Sequence, residues 1–313
     1  MPIETADASA TSGHQPRISV ICSFFNVKPY LAEMIESVLS QDYANFEFVL
    51  VDDGSTDGST QIAKAATERH ADRVIYLDHP NHANRGVSAG RNLGLAHVTG
   101  EFVSFIDGDD RWVRSKLTEQ AELFERHPQL DAVFGAARYW SSYQGGADEI
   151  IQSGHARNRA IAPPEALLKV YPLGQGTAPC LDLLVRRRVI QKIGGFEEEF
   201  VGPLFLYEDQ AFLTKLYLNA TIMFSDRVWL DYRIHPASCT QSGIRDGLGW
   251  NARQYCLEWL EAYLAKSSRR HDPRIRWALF KALRPYRHPH VTKLGRALKN
   301  LLRTLTRRQA ARA

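Results

Sequence analysis

Cysteine is scarce in this chain of 313 residues, and its four copies, Cys22, Cys180, Cys239 and Cys256, form no CxxC pair. The usual zinc spacings are therefore missing, and reduced thiols in a cytosolic protein are expected. No apolar run approaches the ~20 residues that a membrane-spanning helix needs. Residues 1–16 are polar and have no hydrophobic signal core, so they are expected to be a disordered lead-in and secretion is not indicated. Neither GxGxxG nor a Walker A loop occurs, and no internal repeat is visible. Acid is almost absent from one end. From Ser267 onward there are 14 Lys and Arg against one acid, Asp272, which leaves residues 1–266 net negative. A basic tail on an acidic body points to an anionic partner surface.

Strand and helix patterns alternate from Arg17 to Asp110. Arg17–Phe25 and Phe46–Val51 read as buried strands, separated by a helical stripe of Leu31, Met34, Ile35, Val38 and Leu39. Val74–Leu77 is a third strand, and a short helix then carries Arg91 and Asn92. The apolar run Phe102–Ile106 is a fourth strand, and it stops at Asp107-Gly108-Asp109-Asp110. Such alternation implies a mostly parallel sheet with a ligand crevice at the strands' carboxyl edge. Two acidic turns fall on that edge. One is Asp52-Asp53-Gly54-Ser55, with Asp57 or Ser59 read as a plain helix cap. The other is the Asp107–Asp110 cluster. Carboxylates set so close repel one another, and hard oxygen donors favour Mg2+ or Mn2+ over zinc. The plain alternative is a solvated acidic turn.

Further on, Trp112–His127 reads as helix, Ala132–Tyr139 as strand, and Ser141–Arg159 as a long substrate-facing loop. Cys180–Val185 reads as a strand, and Glu208-Asp209 opens a helix through Leu218. Ile222–Phe224 and Val228–Tyr232 resemble two edge strands, and the pattern from Trp250 is helical, broken at Pro273, Pro285 and Pro289.

Several stretches occur in one order: SVICSFFN, VLVDDGSTDGS, NRGVSAGRNLGLAHVTGEFVSFIDGDD, GGFEEEF, EDQAFLTKLYL and YRIHPAS. Together they resemble family 2 glycosyltransferases of the GT-A fold, over roughly residues 17–240. The resemblance implies an α/β GT-A domain at 17–245, followed by a helical basic extension at 246–313. It implies an inverting, Mn2+- or Mg2+-dependent transfer from a nucleotide-sugar donor, with UDP suggested by an aspartate at position 52 that matches a uracil contact. The acceptor implied is a glycan or glycolipid of the cell envelope. Asp107 and Asp109 match the metal and diphosphate pair, with Asp110 close by and Asp53 beside the donor. Arg91 and Asn92 match a pair near the donor, Asp209 of Glu208-Asp209 matches the catalytic base, and His235 matches a histidine that supports metal or diphosphate. Without the resemblance, Glu208 and Asp209 read equally as N-terminal helix acids, and His235 as a satisfied histidine. Arg186–Arg188 reads as a solvated helix face.

In the tail, Val291, Leu294, Leu298, Leu301 and Leu305 form an apolar stripe on a basic helix. Residues 274–308 are thus expected to touch an anionic membrane peripherally, on the cytoplasmic face of the inner membrane. The alternative is packing on the domain or on a second subunit. No aromatic pattern supports nucleic acid as a partner. Two rival functions are a sugar nucleotidyltransferase, which would want a glycine-rich phosphate loop after the first strand, and a non-catalytic nucleotide- or glycan-binding member of the fold.

Overall fold

The computed structural model describes residues 15–290. The chain opens with repeated strand–helix units: β1 (Ile18–Phe24), α1 (Lys28–Leu39), β2 (Phe46–Asp52), α2 (Ser59–Arg69), β3 (Val74–Asp78), α3 (Val87–His97) and β4 (Phe102–Phe105). Every residue of β1, β2 and β4 is buried. That is why they read as unbroken apolar runs: a parallel sheet is covered on both faces. There follow β5 (Arg111–Trp112), α4 (Lys116–Arg126), β6 (Ala132–Trp140), β7 (Glu149–Ile151), β8 (Ala160–Ile161), α5 (Glu165–Lys169), β9 (Leu183–Arg186), α6 (Arg187–Ile193), α7 (Glu208–Asn219) and β10 (Ile222–Arg233). Three helices close the described chain: α8 (Cys239–Arg245), α9 (Gly249–Ala265) and α10 (Pro273–Arg287).

One sheet holds all ten strands, in the order β3-β2-β1-β4-β9-β6-β10-β5, with β7 on β6 and β8 on β10. The β3-β2-β1-β4 part is parallel, and β9 runs antiparallel between β4 and β6. The chain proceeds from β1 outward to β3, then returns to place β4 on the other side of β1. The strand order reverses there, and a crevice opens beyond the carboxyl ends. Register pairs Phe24 with Asp52 and Asp52 with Asp78, so the acidic turns share that edge.

Several sequence expectations shift. Trp112 belongs to a short strand against β10, and the helix begins only at Lys116. The second helix starts at Ser59 rather than near Asp57. Cys180 lies before β9, which runs Leu183–Arg186. The two expected edge strands are one strand, β10, with register shifts between Phe224 and Leu230, and its Leu230–Asp231 end lies between β6 and β5. Pro273 starts α10 behind the Asp272 cap instead of breaking a helix, and Pro285 lies inside it.

α9 and α10 bury Leu257, Leu260, Leu264, Ile275, Leu279 and Leu283 in the same apolar cluster as β4, β9 and α7. Over the described residues the expected extension from 246 thus shares the core of the sheet domain. The lead-in through 14 and the stripe from Val291 lie outside the described residues. Cys22 and Cys256 are buried, Cys180 is half-buried and Cys239 is exposed, and none is paired in a disulfide.

A buried ion pair ties α4 to the segment entering β9. Lys116, fully buried, places its Nζ 2.7 Å from Asp182 Oδ1, over the Trp112 ring. Burial depresses the lysine pKa, and Asp182 opposes that. Lys116→Met strands a buried carboxylate and is expected to cost about 3–5 kcal/mol. Lys116→Met/Asp182→Leu is expected to recover most of that in urea melts. A double variant as unstable as the single one refutes the pairing argument.

Candidate active site

The carboxyl edge of β1, β2 and β4 and the start of α7 enclose a cavity of about 710 Å³. Its floor depends on two glycines. A Cβ at Gly90 would lie 2.1 Å from Ser23 Oγ, and one at Gly94 would lie 2.6 Å from Ile21 Cγ2, so α3 approaches β1 only because both positions lack one. That approach lowers Arg91 into the cavity, where it is buried. Its Nη2 donates to Asp107 Oδ1 at 2.7 Å and its Nη1 to Glu208 Oε1 at 2.9 Å, and its guanidinium lies over the Phe196 ring. Burial would lower its pKa, but the two carboxylates outweigh burial and raise it. Arg91 therefore stays charged and joins the end of β4 to the start of α7.

Asp107 and Asp109 line the cavity, each with one oxygen engaged. Asp109 Oδ2 lies 2.9 Å from His235 Nε2. His235 is buried against Tyr30, and its Nδ1 has no partner. Asp110 is buried behind them and accepts from Arg233 N at 2.9 Å. Burial, then Asp109 and Asp107, push its pKa up. Arg233 itself donates to the Asp109 carbonyl at 2.6 Å and to Glu33 Oε2 at 2.6 Å, and packs over Trp140.

The donor set suits a small hard cation. Asp107 Oδ2 and Asp109 Oδ1 remain for it, both hard oxygens on the cavity wall. Among the described residues no three His, Cys, Asp or Glu side chains converge on one point. Two carboxylates with the remaining positions left to substrate oxygens and water are how Mg2+ is commonly held. His235 stands beside the Asp109 carboxylate, with Nε2 on its Oδ2 and Nδ1 unpartnered.

The turn after β2 differs from expectation. Asp52 is fully buried and absent from the cavity wall. Its Oδ1 accepts from Ser55 N at 2.8 Å, and its Oδ2 from Thr60 Oγ1 at 2.5 Å and Tyr76 OH at 3.2 Å. Its carboxylate is bonded to residues around its own turn and does not line the cavity where the expected base contact would be made. Asp53 does line the cavity, accepting from Arg85 N at 2.7 Å and Gly86 N at 2.9 Å. Asp57 caps two helices, taking Lys28 N at the start of α1 as well as Ser59 N and Oγ at the start of α2. Asn92 serves a loop: its amide exchanges two bonds with the Phe196 backbone and donates to Glu198.

Aromatic side chains line the same cavity: Tyr139, Tyr171, Phe205, Tyr207 and Tyr232. The Tyr171 and Tyr207 hydroxyls share a short hydrogen bond, and Arg253 lies over Tyr171 and donates to the Pro172 carbonyl. No residue of 141–159 lines this cavity; segments 178–181 and 205–210 do. Sequence reasoning missed these tyrosines and Arg233. Arg233 lay in a quoted motif, and its neighbour His235 drew the attention.

Asp209 lines the cavity as well. Its Oδ1 accepts from Gln210 N at 2.6 Å, and it has no cationic partner of its own. Burial first, then the charge of Glu208, push its pKa up to about 7. Burial also raises Glu208 despite Arg91.

With this fold and cavity on hand, the comparisons define the class. Residues 19–180 match the model described as Glycosyl transferase family 2, more than half of the chain, and the chain belongs to that family. Bacillus subtilis EpsE, named as a glycosyltransferase, is 39% identical over 118 residues, which is 38% of this chain and 42% of that protein. The chain thus spans about two-fifths of that relative. The S. aureus TarS 1–349 structure in complex with UDP superposes with a TM-score of 0.62 at 22% identity, covering 86% of this chain and 71% of that one. Mannosyltransferase PcManGT from Pyrobaculum calidifontis, in complex with GDP-Man and Mn2+, gives 0.55 at 21% identity over 95% and 85%. The likeness to these two is one of fold, and the fold is the GT-A fold that the motifs lead one to expect.

The raised Asp209 pKa has a signed consequence. The folded state favours the protonated acid, so the stability this group contributes is complete below about pH 4 and is lost as pH rises toward 7. Asp209→Asn removes the loss. The variant is expected to match the native melting midpoint below about pH 4 and to exceed it by a few degrees at pH 8. A difference that does not change with pH contradicts the assignment.

Proposed function

We propose that the chain is an inverting glycosyltransferase that moves a sugar from a nucleotide-sugar donor to a hydroxyl of a glycan or glycolipid acceptor of the cell envelope. The observation that carries this reading is Asp209: a carboxylate whose pKa burial and Glu208 push up to about 7, with no cation bonded to it, in one cavity with Asp107 and Asp109. A general base works best with a pKa near the operating pH, and contributes about 10²–10⁴-fold. An acceptor hydroxyl on the aromatic wall loses its proton to Asp209 as its oxygen attacks the anomeric carbon. The sugar–diphosphate bond breaks on the opposite face, which inverts the configuration. Arg91 holds Glu208 away from that proton and holds Asp107 toward the donor.

Asp109 and Asp107 would hold the Mn2+ or Mg2+, with His235 fixing Asp109. The ion supplies neutralisation of the charge that develops on the leaving diphosphate. UDP is the nucleotide we favour for the donor. That choice rests on the family resemblance and on the UDP in the similar TarS structure, since Asp52 is buried and does not line the cavity. The acceptor class and a place at the cytoplasmic face of a membrane rest on the family resemblance. Among the described residues no helix is long and apolar enough to cross a membrane.

Thermal melts with UDP, GDP, CDP and dTDP, each with and without Mn2+, test the donor site. A ligand at ~100 times its dissociation constant adds about 2.7 kcal/mol, so UDP with Mn2+ is expected to raise the midpoint by several degrees, and Asp109→Asn to abolish the gain. A response to GDP alone changes the donor and keeps the class. No response to any nucleotide counts against the reading. In transfer assays, Asp209→Asn is expected to lose at least about 100-fold in kcat while the nucleotide-induced shift persists.

A further inference from the structure

α10 has an outer face that the transfer chemistry does not use. Its inner row, Ile275, Leu279 and Leu283, is buried in the core. On the outer side two rows stand in solvent: Arg276, Phe280 and Arg284 at four-residue spacing, and Trp277 and Lys281 beside them. Trp277 is 60% and Phe280 50% exposed, among the few large apolar side chains left open. Their rings stack on each other with centroids 5.6 Å apart, and Lys281 lies over Trp277. Neighbouring arginines are spoken for, Arg274 by Glu165 and Asp272, and Arg287 by Glu261. Arg276, Lys281 and Arg284 have no carboxylate partner among the described residues, and no acid follows Asp272 in the sequence.

We propose that this aromatic–cationic strip of α10 docks on an anionic lipid surface. Indole and phenyl rings settle at the depth of lipid headgroups. Lys and Arg beside them gain from the negative potential there, and a helix lying in the interface needs an apolar edge with cations along it. The occupant follows from the charge. Strip to strip, a second copy would set three unpaired cations against three more, whereas an anionic bilayer complements both the charge and the rings. The docking itself does not depend on the transferase reading.

The test uses the full-length protein and vesicles of phosphatidylcholine with or without about one-third phosphatidylglycerol. Sedimentation is expected only with the anionic vesicles, with a blue shift in tryptophan emission. Trp277→Ser/Phe280→Ser is expected to lower partitioning at least about tenfold at an unchanged melting midpoint, while Trp277→Phe/Phe280→Trp retains it. Partitioning that the Ser/Ser variant leaves intact overturns the proposal, because residues beyond 290 then carry the binding. Equal binding to uncharged vesicles overturns it as well. So does a concentration-dependent dimer, seen by analytical ultracentrifugation, that the Ser/Ser variant dissolves.

Discussion

The site depends on one buried cation. Arg91 satisfies its charge with Asp107 from the end of β4 and Glu208 from the start of α7, two groups that are 101 positions apart in the sequence. A buried guanidinium is tolerated only when paired and hydrogen-bonded, so the fold must bring both acids to it. Doing so sets the width of the cavity. Because the pairing consumes Glu208, the next residue, Asp209, is left as the carboxylate without a partner. Burial raises both adjacent acids, and what separates them is that only Glu208 is hydrogen-bonded to Arg91.

The same logic orders the rest of the acidic edge. Asp52, Asp53 and Asp57 spend their oxygens on backbone and hydroxyl donors of the turns around them, which makes the donor side of the cavity a rigid frame. Asp107 and Asp109 each keep one oxygen open. Proximity of acids therefore has two outcomes here: where local donors abound the carboxylates build the loop, and where they are few the carboxylates face the cavity.

Much of this was legible in the sequence, and what was not has identifiable causes. The first four strands were readable because burial on both faces leaves continuous apolar runs. The short strand Arg111–Trp112 was not, because its partner in β10 lies about 120 residues away and no local pattern encodes that pairing. β10 looked like two strands because the polar Ser225–Arg227 falls where its register shifts. Among the site residues, the Asp107–Asp109 pair and Glu208-Asp209 could be picked from motif order. The partners of Asp52 could not, since Thr60 and Tyr76 reach it only after α2 and β3 have packed. The aromatic wall was hidden for a similar reason: Tyr171 and Tyr207 belong to loops whose path the distant Arg253 helps to fix.

The cavity is also divided along the chain. Its acids Asp53, Asp107 and Asp109 lie inside the stretch that matches the family model, whereas Tyr207, Asp209 and Tyr232 come after that stretch ends. Arg91, Asn92, Arg233 and His235 are among the side chains that bond the two parts together around the cavity. A lineage could therefore exchange the later segments, and with them the partner that accepts the sugar, while inheriting the earlier wall unchanged, provided that each replacement still presents an acid to Arg91.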